Sequence, residues 1–255
     1  MTVAKELSDF LTLDYASVVA GESATNLGID WRSIFALFVN PAVPFCLVLA
    51  YWFLSNVVFK FIQKTFKIES KGLFMQCVVV GHSGLLAIYS LWTFYNTIMI
   101  VVPLLRRNGL YTTLCDTDSS VWDATGSNLG FWITHFYVSK YYEFVETWIV
   151  LLKAKEPIFL QTYHHAGVVL ACWGFVVTKN TSSGGITVVL NSFIHSIMYT
   201  YYVAAALGYN SPLKHYLTQA QLLQFFSGIL MTIPTLWIPN CGTFLSYIVF
   251  TLYRL

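Results

Sequence analysis

The sequence predicts an all-α, polytopic membrane protein built as a bundle of about seven transmembrane helices. Of its 255 residues, 56% are hydrophobic and only 10% are charged, whereas a soluble domain carries about 25% charged residues. A chain so poor in charge cannot cover a water-facing surface, so lipid is the expected solvent for most of it. The net charge of +2 is small and the sequence has no basic run, so nothing in it indicates a nucleic-acid partner.

Long apolar segments predict the transmembrane spans, because roughly 20 apolar residues are needed to cross a bilayer. Six of them lie at about 34–59, 73–104, 130–152, 158–178, 186–208 and 216–238. A seventh begins near Gly242 and stops at Leu255. This last helix is either short or truncated, and we favour truncation. The sequence shows no internal repeat. We therefore expect one transmembrane domain over residues 32–255, preceded by a polar segment over residues 1–31.

The distribution of lysines in the loops predicts the orientation of the bundle. When the spans are counted alternately, one side collects most of these lysines. They are Lys60, Lys64, Lys67, Lys71, Lys153, Lys155 and Lys214. This bias favours the lysine-rich side as cytoplasmic and the N-terminal segment as lumenal.

The same topology sorts the five cysteines. Cys46, Cys77 and Cys172 fall within spans, whereas Cys115 and Cys241 fall in lumenal loops. A lumenal position permits a disulfide, and Cys115–Cys241 is the only pair that this topology allows. The sequence does not supply their separation, so two free thiols remain the alternative.

Polar side chains recur at helical spacing on four of the spans. Span by span they are Lys140, Glu143, Glu146 and Thr147; Gln161, His164 and His165; Asn191, His195 and Tyr199; and Thr218, Gln221 and Gln224. Ionisable groups at membrane depth are costly and are candidates for function. None of these four stripes can face lipid cheaply, so we expect them to converge on an interior cavity.

Each stripe also has a purely structural interpretation. Polar residues in membrane helices often form hydrogen bonds between helices, and Lys140 with Glu143 or Glu146 would make a buried ion pair. His82 and His135 stand alone and are expected to be core residues with satisfied hydrogen bonds.

The trio of His164, His165 and His195 is harder to explain structurally. Three histidines can ligate a metal, but His164 and His165 point about 100° apart on a helix, so both cannot easily bind one ion. Acid–base or nucleophilic chemistry is therefore favoured, because histidine titrates near neutrality. No metal site is predicted.

Four motifs then resemble those of a known family, the ELO family of very-long-chain fatty acid elongases. Residues 140–147 read KYYEFVET and are similar to its K-x-x-E-x-x-D-T motif, and residues 161–165 read QTYHH where the family has H/Q-x-x-H-H. Residues 191–202 (NSFIHSIMYTYY) and 218–225 (TQAQLLQF) resemble N-x-x-x-H-x-x-M-Y-x-Y-Y and T-x-x-Q-x-x-Q-F. The four motifs occur in the family's order.

The resemblance implies a 3-oxoacyl-CoA synthase, an acyltransferase that condenses an acyl-CoA with malonyl-CoA and releases CO2 and CoA. It implies His164 as the nucleophile and His195 as its partner, with His165 beside them; direct condensation with His164 as a base is the alternative. Gln161, Lys140, Glu143, Glu146, Asn191, Tyr199, Gln221 and Gln224 would support them, and Lys153, Lys155 and Lys214 would bind CoA at a cytosolic mouth.

Two residues depart from the family pattern. Glu146 stands where the family usually has Asp, and Gln161 replaces the first His of its box. The Gln form resembles the branch associated with polyunsaturated acyl chains, which favours such acyl-CoAs as substrates.

The resemblance also implies the setting of the reaction. The location is the endoplasmic reticulum membrane, and the partners are the ketoacyl-CoA reductase, dehydratase and enoyl-CoA reductase that complete the elongation cycle. Decarboxylation supplies the carbanion, so no cofactor is expected. Whether the chain forms a homodimer stays open. The competing hypotheses are a metal-dependent membrane oxidase or hydroxylase and a seven-helix transporter or receptor.

Overall fold

The computed structural model describes residues 30–116, 120–123, 129–209, 212–233, 238 and 241. In these ranges every regular element is a helix, numbered α1 to α8 in chain order. The helices are α1 Trp31–Val39, α2 Ala42–Phe66, α3 Leu73–Cys115, α4 Leu129–Tyr142, α5 Phe144–Leu152, α6 Phe159–Val177, α7 Thr181–Ala206 and α8 Leu213–Thr232. The polar segment at residues 1–31 lies almost wholly outside the described residues, as does the seventh predicted span.

The predicted fold class is confirmed, since the chain is an all-α, polytopic membrane protein. Two helices of the described part, α2 and α3, are long and apolar enough to cross a membrane by length and composition. Large apolar side chains are also exposed around the bundle, among them Leu49 at 70%, Ile88 at 71% and Leu230 at 71%. Water would make such a surface costly, whereas lipid matches it.

Side-chain caps determine where two of the helices begin. The carboxylate of Asp30 accepts hydrogen bonds from the Ser33 hydroxyl at 2.6 Å and the Ser33 backbone N–H at 3.2 Å, and these bonds hold the pKa of Asp30 below its ordinary value. Asn180 caps α7 in the same way, accepting from Ser183 N–H at 2.8 Å. The fifth predicted span began at 186, but this cap moves its start back to Thr181.

The third predicted span is interrupted at Glu143, which lies in a turn between α4 and α5. At this turn the N–H of Glu146 bonds to the carbonyl of Glu143, a spacing of three residues in place of four. Helical periodicity continues through the turn in the sequence, so the pattern of apolar residues gave no sign of it.

The bundle packs in two groups of helices. An apolar core joins α1, α2, α4 and α6 through fully buried residues such as Phe35, Tyr51, Phe131 and Val169, while α7 packs along α3 and against α8. At one end Cys115 and Cys241 are joined by a disulfide, the pairing that the predicted topology allowed. We call this end the cysteine side and the opposite end, which carries the lysines of the α2–α3 and α5–α6 loops, the lysine side.

The packing at the start of α4 leaves no room for a side chain at Gly130. A Cβ at Gly130 would lie 2.7 Å from a ring carbon of the fully buried Trp122 and 2.8 Å from its carbonyl oxygen. We expect Gly130→Ala to destabilise the protein by about 1–3 kcal/mol, the usual cost of overpacking. Thermal unfolding in detergent measures it.

Gly81→Ala in α3 is the matched control, because no described atom would lie within 4 Å of its Cβ. Its melting temperature should stay equal or rise, since Ala favours helix over Gly by about 1 kcal/mol. Equal melting temperatures for the two variants would contradict the packing described for Trp122.

Candidate active site

The four polar stripes converge on one cavity of about 310 Å³, between α5, α6, α7 and α8 and nearer the lysine side. Its polar wall residues are Glu146, Gln161, His164, His165, Asn191, His195, Tyr199, Tyr202, Thr218, Gln221 and Gln224. Lys140 and Glu143 do not line it; they are buried behind His195 and Asn191 at 1% and 2% exposure. All three histidines of the candidate trio line this cavity.

The first two turns of α6 supply two of these histidines. His165 is buried at 4% exposure, whereas His164 is half-buried and therefore more open to the cavity. Their ring centroids are 5.9 Å apart, and the His164 ring lies 5.9 Å from that of Phe225 on α8. The two adjacent histidines thus have different surroundings: His164 faces the space that a reactant would occupy.

Behind His195 four side chains form a closed ring of polar contacts. Lys140 Nζ contacts Glu143 Oε1 at 2.5 Å and Asn191 Oδ1 at 3.0 Å. Asn191 Nδ2 lies 3.0 Å from His195 Nε2, and His195 Nδ1 lies 3.8 Å from Glu143 Oε1. The ring joins α4 to α7 across the turn at Glu143.

This ring determines the tautomer of His195. An ammonium group has no acceptor, so Asn191 must turn its carbonyl oxygen to Lys140 and its NH2 group to His195. Nε2 of His195 is then the acceptor, and the imidazole proton lies on Nδ1, facing Glu143. In this arrangement His195 is a neutral imidazole, and both of its nitrogens point toward the other side chains of the polar ring.

A second polar chain involves Glu146. The Tyr199 hydroxyl donates to Glu146 Oε2 at 3.1 Å, and His165 Nε2 lies 3.8 Å from the same oxygen. His165 Nδ1 has no hydrogen-bond partner among the described residues. Glu146 therefore connects α5 to the two helices that carry the histidines, and Lys140 pairs with Glu143, not with Glu146.

Residues of α2, which the sequence did not suggest, hold α5 in place. The hydroxyl of Tyr51 lies 3.0 Å from that of Thr147, both fully buried, and Trp148 Nε1 donates to Ser55 Oγ at 3.1 Å. A polar Ser55 within an apolar span was the only signal available, and it is a weak one.

On the α8 side, Gln221 donates from Nε2 to the Met198 sulfur at 3.0 Å. Thr218 and Gln224 line the cavity one turn to either side of Gln221. The stripe of α8 therefore closes the cavity opposite His164.

The predicted CoA-binding lysines are separated by the structure. Lys153 lines a second cavity of about 390 Å³ adjoining the first. Lys155 and Lys214 are exposed on the lysine side and belong to neither cavity wall.

The two lone histidines differ from each other. His135 is satisfied as predicted, with Nδ1 2.9 Å from the Tyr89 hydroxyl. The prediction for His82 is wrong: it is buried at 6% exposure, and neither ring nitrogen has a hydrogen-bond partner in the described part of the chain. Its position on an apolar helix suggested a core residue, but its ring borders the second cavity.

No group of three or more His, Cys, Asp or Glu side chains within the described ranges is placed to hold a metal ion. The imidazole rings of His164 and His195 border space that a reactant can enter. The arrangement supports nucleophilic and acid–base chemistry on a small electrophile held beside His164.

Comparisons with known proteins agree with the four motifs. The GNS1/SUR4 family (ELO) matches residues 36–254. The chain is 32% identical over 163 residues to the fatty acid elongase sre1 of Dictyostelium discoideum, covering 64% of this chain and 60% of that protein.

Two further relatives have similar names. Identity is 33% over 162 residues to a very long chain fatty acid elongase 4 of Trypanosoma cruzi, covering 62% of this chain and 55% of that protein. The chain is also 34% identical over 146 residues to a very long chain fatty acid elongase 6 of Drosophila melanogaster, and this match covers 56% of this chain and 45% of that protein. The chain thus spans about half the length of these curated relatives. Because the family match covers most of the sequence, the chain belongs to the GNS1/SUR4 (ELO) family.

Proposed function

We propose that this protein is a fatty acid elongase that condenses an acyl-CoA with malonyl-CoA to give a 3-ketoacyl-CoA two carbons longer. The observation that carries the proposal is the cavity in which His164, His165 and His195 meet. Membership of the family and the names of the relatives support the same activity.

In the first step the imidazole of His164 attacks the thioester carbonyl of the acyl-CoA. The C–S bond breaks, CoA leaves as a thiolate that takes up a proton, and the acyl group is held as an acyl-imidazole. His164 suits this role because it is the most open of the three histidines.

In the second step malonyl-CoA loses CO2, and its methylene carbon attacks the acyl-imidazole. The C–N bond to His164 breaks, which restores the imidazole and releases the 3-ketoacyl-CoA. Over both steps, acyl-CoA, malonyl-CoA and one proton give 3-ketoacyl-CoA, CO2 and CoA. In the alternative, His164 acts as a base for direct condensation with no acyl-enzyme.

The oxyanion that forms in each step needs a hydrogen-bond donor already in place. The Asn191 amide and the Tyr199 hydroxyl are committed to His195 and Glu146. The side-chain amide of Gln161 makes no hydrogen bond to a described residue and lies one turn before His164 on the cavity wall. We therefore assign the donor role to Gln161.

His195 acts through the ring of polar contacts. Because Nε2 accepts from Asn191 and Lys140 holds the Asn191 carbonyl, a second proton on His195 would face an NH2 group. The arrangement keeps His195 neutral and oriented beside His164. Gln221 and Gln224 bound the cavity from α8.

The acyl-CoA enters from the lysine side, where the CoA phosphates meet the exposed Lys155 and Lys214, and its tail runs between the helices toward the cysteine side. Lys153 stands apart from these two lysines, because it lines the second cavity. Gln161 favours polyunsaturated acyl chains, as in the branch of the family that it resembles. We place the protein in the endoplasmic reticulum membrane with the lysine side cytosolic. The reductases and dehydratase of the cycle are its partners there.

Mass spectrometry of products tests the reaction. Wild-type protein in detergent or liposomes, given malonyl-CoA and a panel of saturated and polyunsaturated acyl-CoAs, should form 3-ketoacyl-CoAs longer by two carbons, mainly from polyunsaturated chains. His164→Ala should reduce the rate by at least about 100-fold, a typical contribution of a catalytic histidine.

The control is His215→Ala, because His215 is exposed and lies outside both cavities. This variant should retain the wild-type rate. Intact-protein mass spectrometry after incubation with acyl-CoA alone should show an acyl adduct that His164→Ala lacks. If wild type yields no lengthened product from any acyl-CoA, the proposed reaction is wrong.

The buried ion pair gives a second prediction. Lys140→Met leaves the Glu143 carboxylate buried without its partner, which costs about 3–5 kcal/mol, so the melting temperature should fall strongly. The double variant Lys140→Met, Glu143→Leu removes both charges and should recover most of that stability.

The double variant should nevertheless stay slow, because Asn191 is no longer held by Lys140 and His195 has lost the oxygen that faces Nδ1. The measurements are melting temperature and kcat for each variant. A double variant with the stability and the kcat of wild type would show that the ring does not position His195.

A further inference from the structure

A second cavity adjoins the candidate active site and has a different lining. It lies between α3, α5, α6 and α7, with a volume of about 390 Å³, and shares Glu146, Gln161 and Tyr202 with the first cavity. On the side away from that shared wall its polar residues are His82, Ser83 and Lys153. No histidine of the catalytic trio lines it.

His82 is the strongest indication of a ligand in this cavity. Its side chain is buried, and neither ring nitrogen has a hydrogen-bond partner among the described residues. Its ring contacts Tyr142 at 5.1 Å between centroids, a contact that satisfies neither nitrogen. Buried polar groups are nearly always hydrogen-bonded. Both His82 nitrogens are closed off, so a polar ligand meets them when the imidazole turns toward the cavity that its ring borders.

Lys153 adds a positive charge to the same wall. It lies directly after α5, where its backbone N–H bonds to the Ile149 carbonyl. The nearby acid Glu156 is paired with Lys60 at 3.0 Å, and Lys153 has no ion-pair partner in the described ranges. The ammonium group is therefore available to an anion in the cavity.

We propose that the second cavity binds the malonyl group of malonyl-CoA, with His82 and Lys153 donating hydrogen bonds to its free carboxylate. The inference rests on the proposed function. The carboxylate distinguishes malonyl-CoA from the fatty acyl-CoA substrate, and a donor pair with one positive charge recognises it.

The charge distribution along the cavity agrees with this orientation. The carboxyl group of Glu146 lies in the shared wall, where Tyr199 donates to it and His165 lies 3.8 Å away. That wall offers a ligand carboxylate no positive charge, whereas Lys153 at the other side of the cavity does. The methylene carbon of the malonyl group then lies toward Gln161, the residue that also lines the chamber of His164.

The lining of the first cavity suits the other substrate. It includes Ile158, Leu160, Met198, Leu222 and Phe225, apolar side chains that match an acyl chain. The two substrates would thus meet at the wall formed by Glu146, Gln161 and Tyr202 from opposite sides.

Steady-state kinetics with the whole chain tests the proposal. His82→Leu and Lys153→Met should each raise the KM for malonyl-CoA by about tenfold, the effect of losing one charge-assisted hydrogen bond. The KM for the acyl-CoA should change by less than about twofold, because the acyl chain does not contact these residues. Lys153→Met lies near the surface and tests the site even if His82→Leu fails to fold.

Val79→Ala is the matched control, since Val79 lines the same cavity without a polar group; its KM for malonyl-CoA should equal that of wild type. His82→Asn keeps a donor and an acceptor and should recover part of the loss. An unchanged KM for malonyl-CoA in both test variants overturns the proposal. An equal rise in both KM values also overturns it, because the lost contact would then be with the CoA portion that both substrates share.

The experiment distinguishes the failure of the proposed function from the failure of this inference. If the proposed function is wrong, wild type forms no lengthened product. If only the assignment of the second cavity is wrong, wild type is active and the variants leave the KM for malonyl-CoA unchanged. Equilibrium binding of malonyl-CoA and acetyl-CoA to wild type gives a readout without turnover. Tighter binding of malonyl-CoA, reduced to the level of acetyl-CoA by Lys153→Met, is the expected result; equal binding of both by wild type contradicts it.

Discussion

The buried ion pair between Lys140 and Glu143 is the contact on which the rest of the candidate active site depends. Two opposite charges at 2% and 3% side-chain exposure are each costly to bury alone, so each stabilises the other. Lys140 uses one of its remaining protons on Asn191, and Asn191 in turn holds His195. One electrostatic requirement on α4 thereby determines the orientation and tautomer of a histidine on α7.

Glu146 has a separate task from Glu143, although both belong to one motif. Glu143 faces the buried ring, whereas Glu146 lies in the wall between the two cavities and accepts from Tyr199. Where the family usually has Asp, the longer Glu side chain places its carboxyl group at the junction of the cavities, where Tyr199 on α7 donates to it.

Much of this arrangement was predictable from periodicity. Polar side chains at helical spacing on four apolar spans cannot face lipid, so their convergence on a cavity followed from burial cost alone. The structure places Gln161, His195 and Gln221 around one cavity. The sequence left the partner of Lys140 open between Glu143 and Glu146; the structure selects Glu143, which lies at the closer helical spacing of three residues. His82 was misjudged because an isolated histidine in an apolar run carries no sign of what its ring nitrogens meet.

The sequence by itself determined the all-α membrane fold, the location of the polar stripes and the candidate disulfide, because each follows from composition, spacing or loop position along one chain. It indicated the family through the resemblance of four motifs. Only the tertiary structure decided that Lys140 reaches Asn191, which histidine faces the cavity, and that a second cavity exists beside the first. These depend on contacts between helices far apart in the chain, such as Lys140 with Asn191 or Tyr51 with Thr147. Side-chain distances across a bundle are set by packing, and no local pattern encodes them.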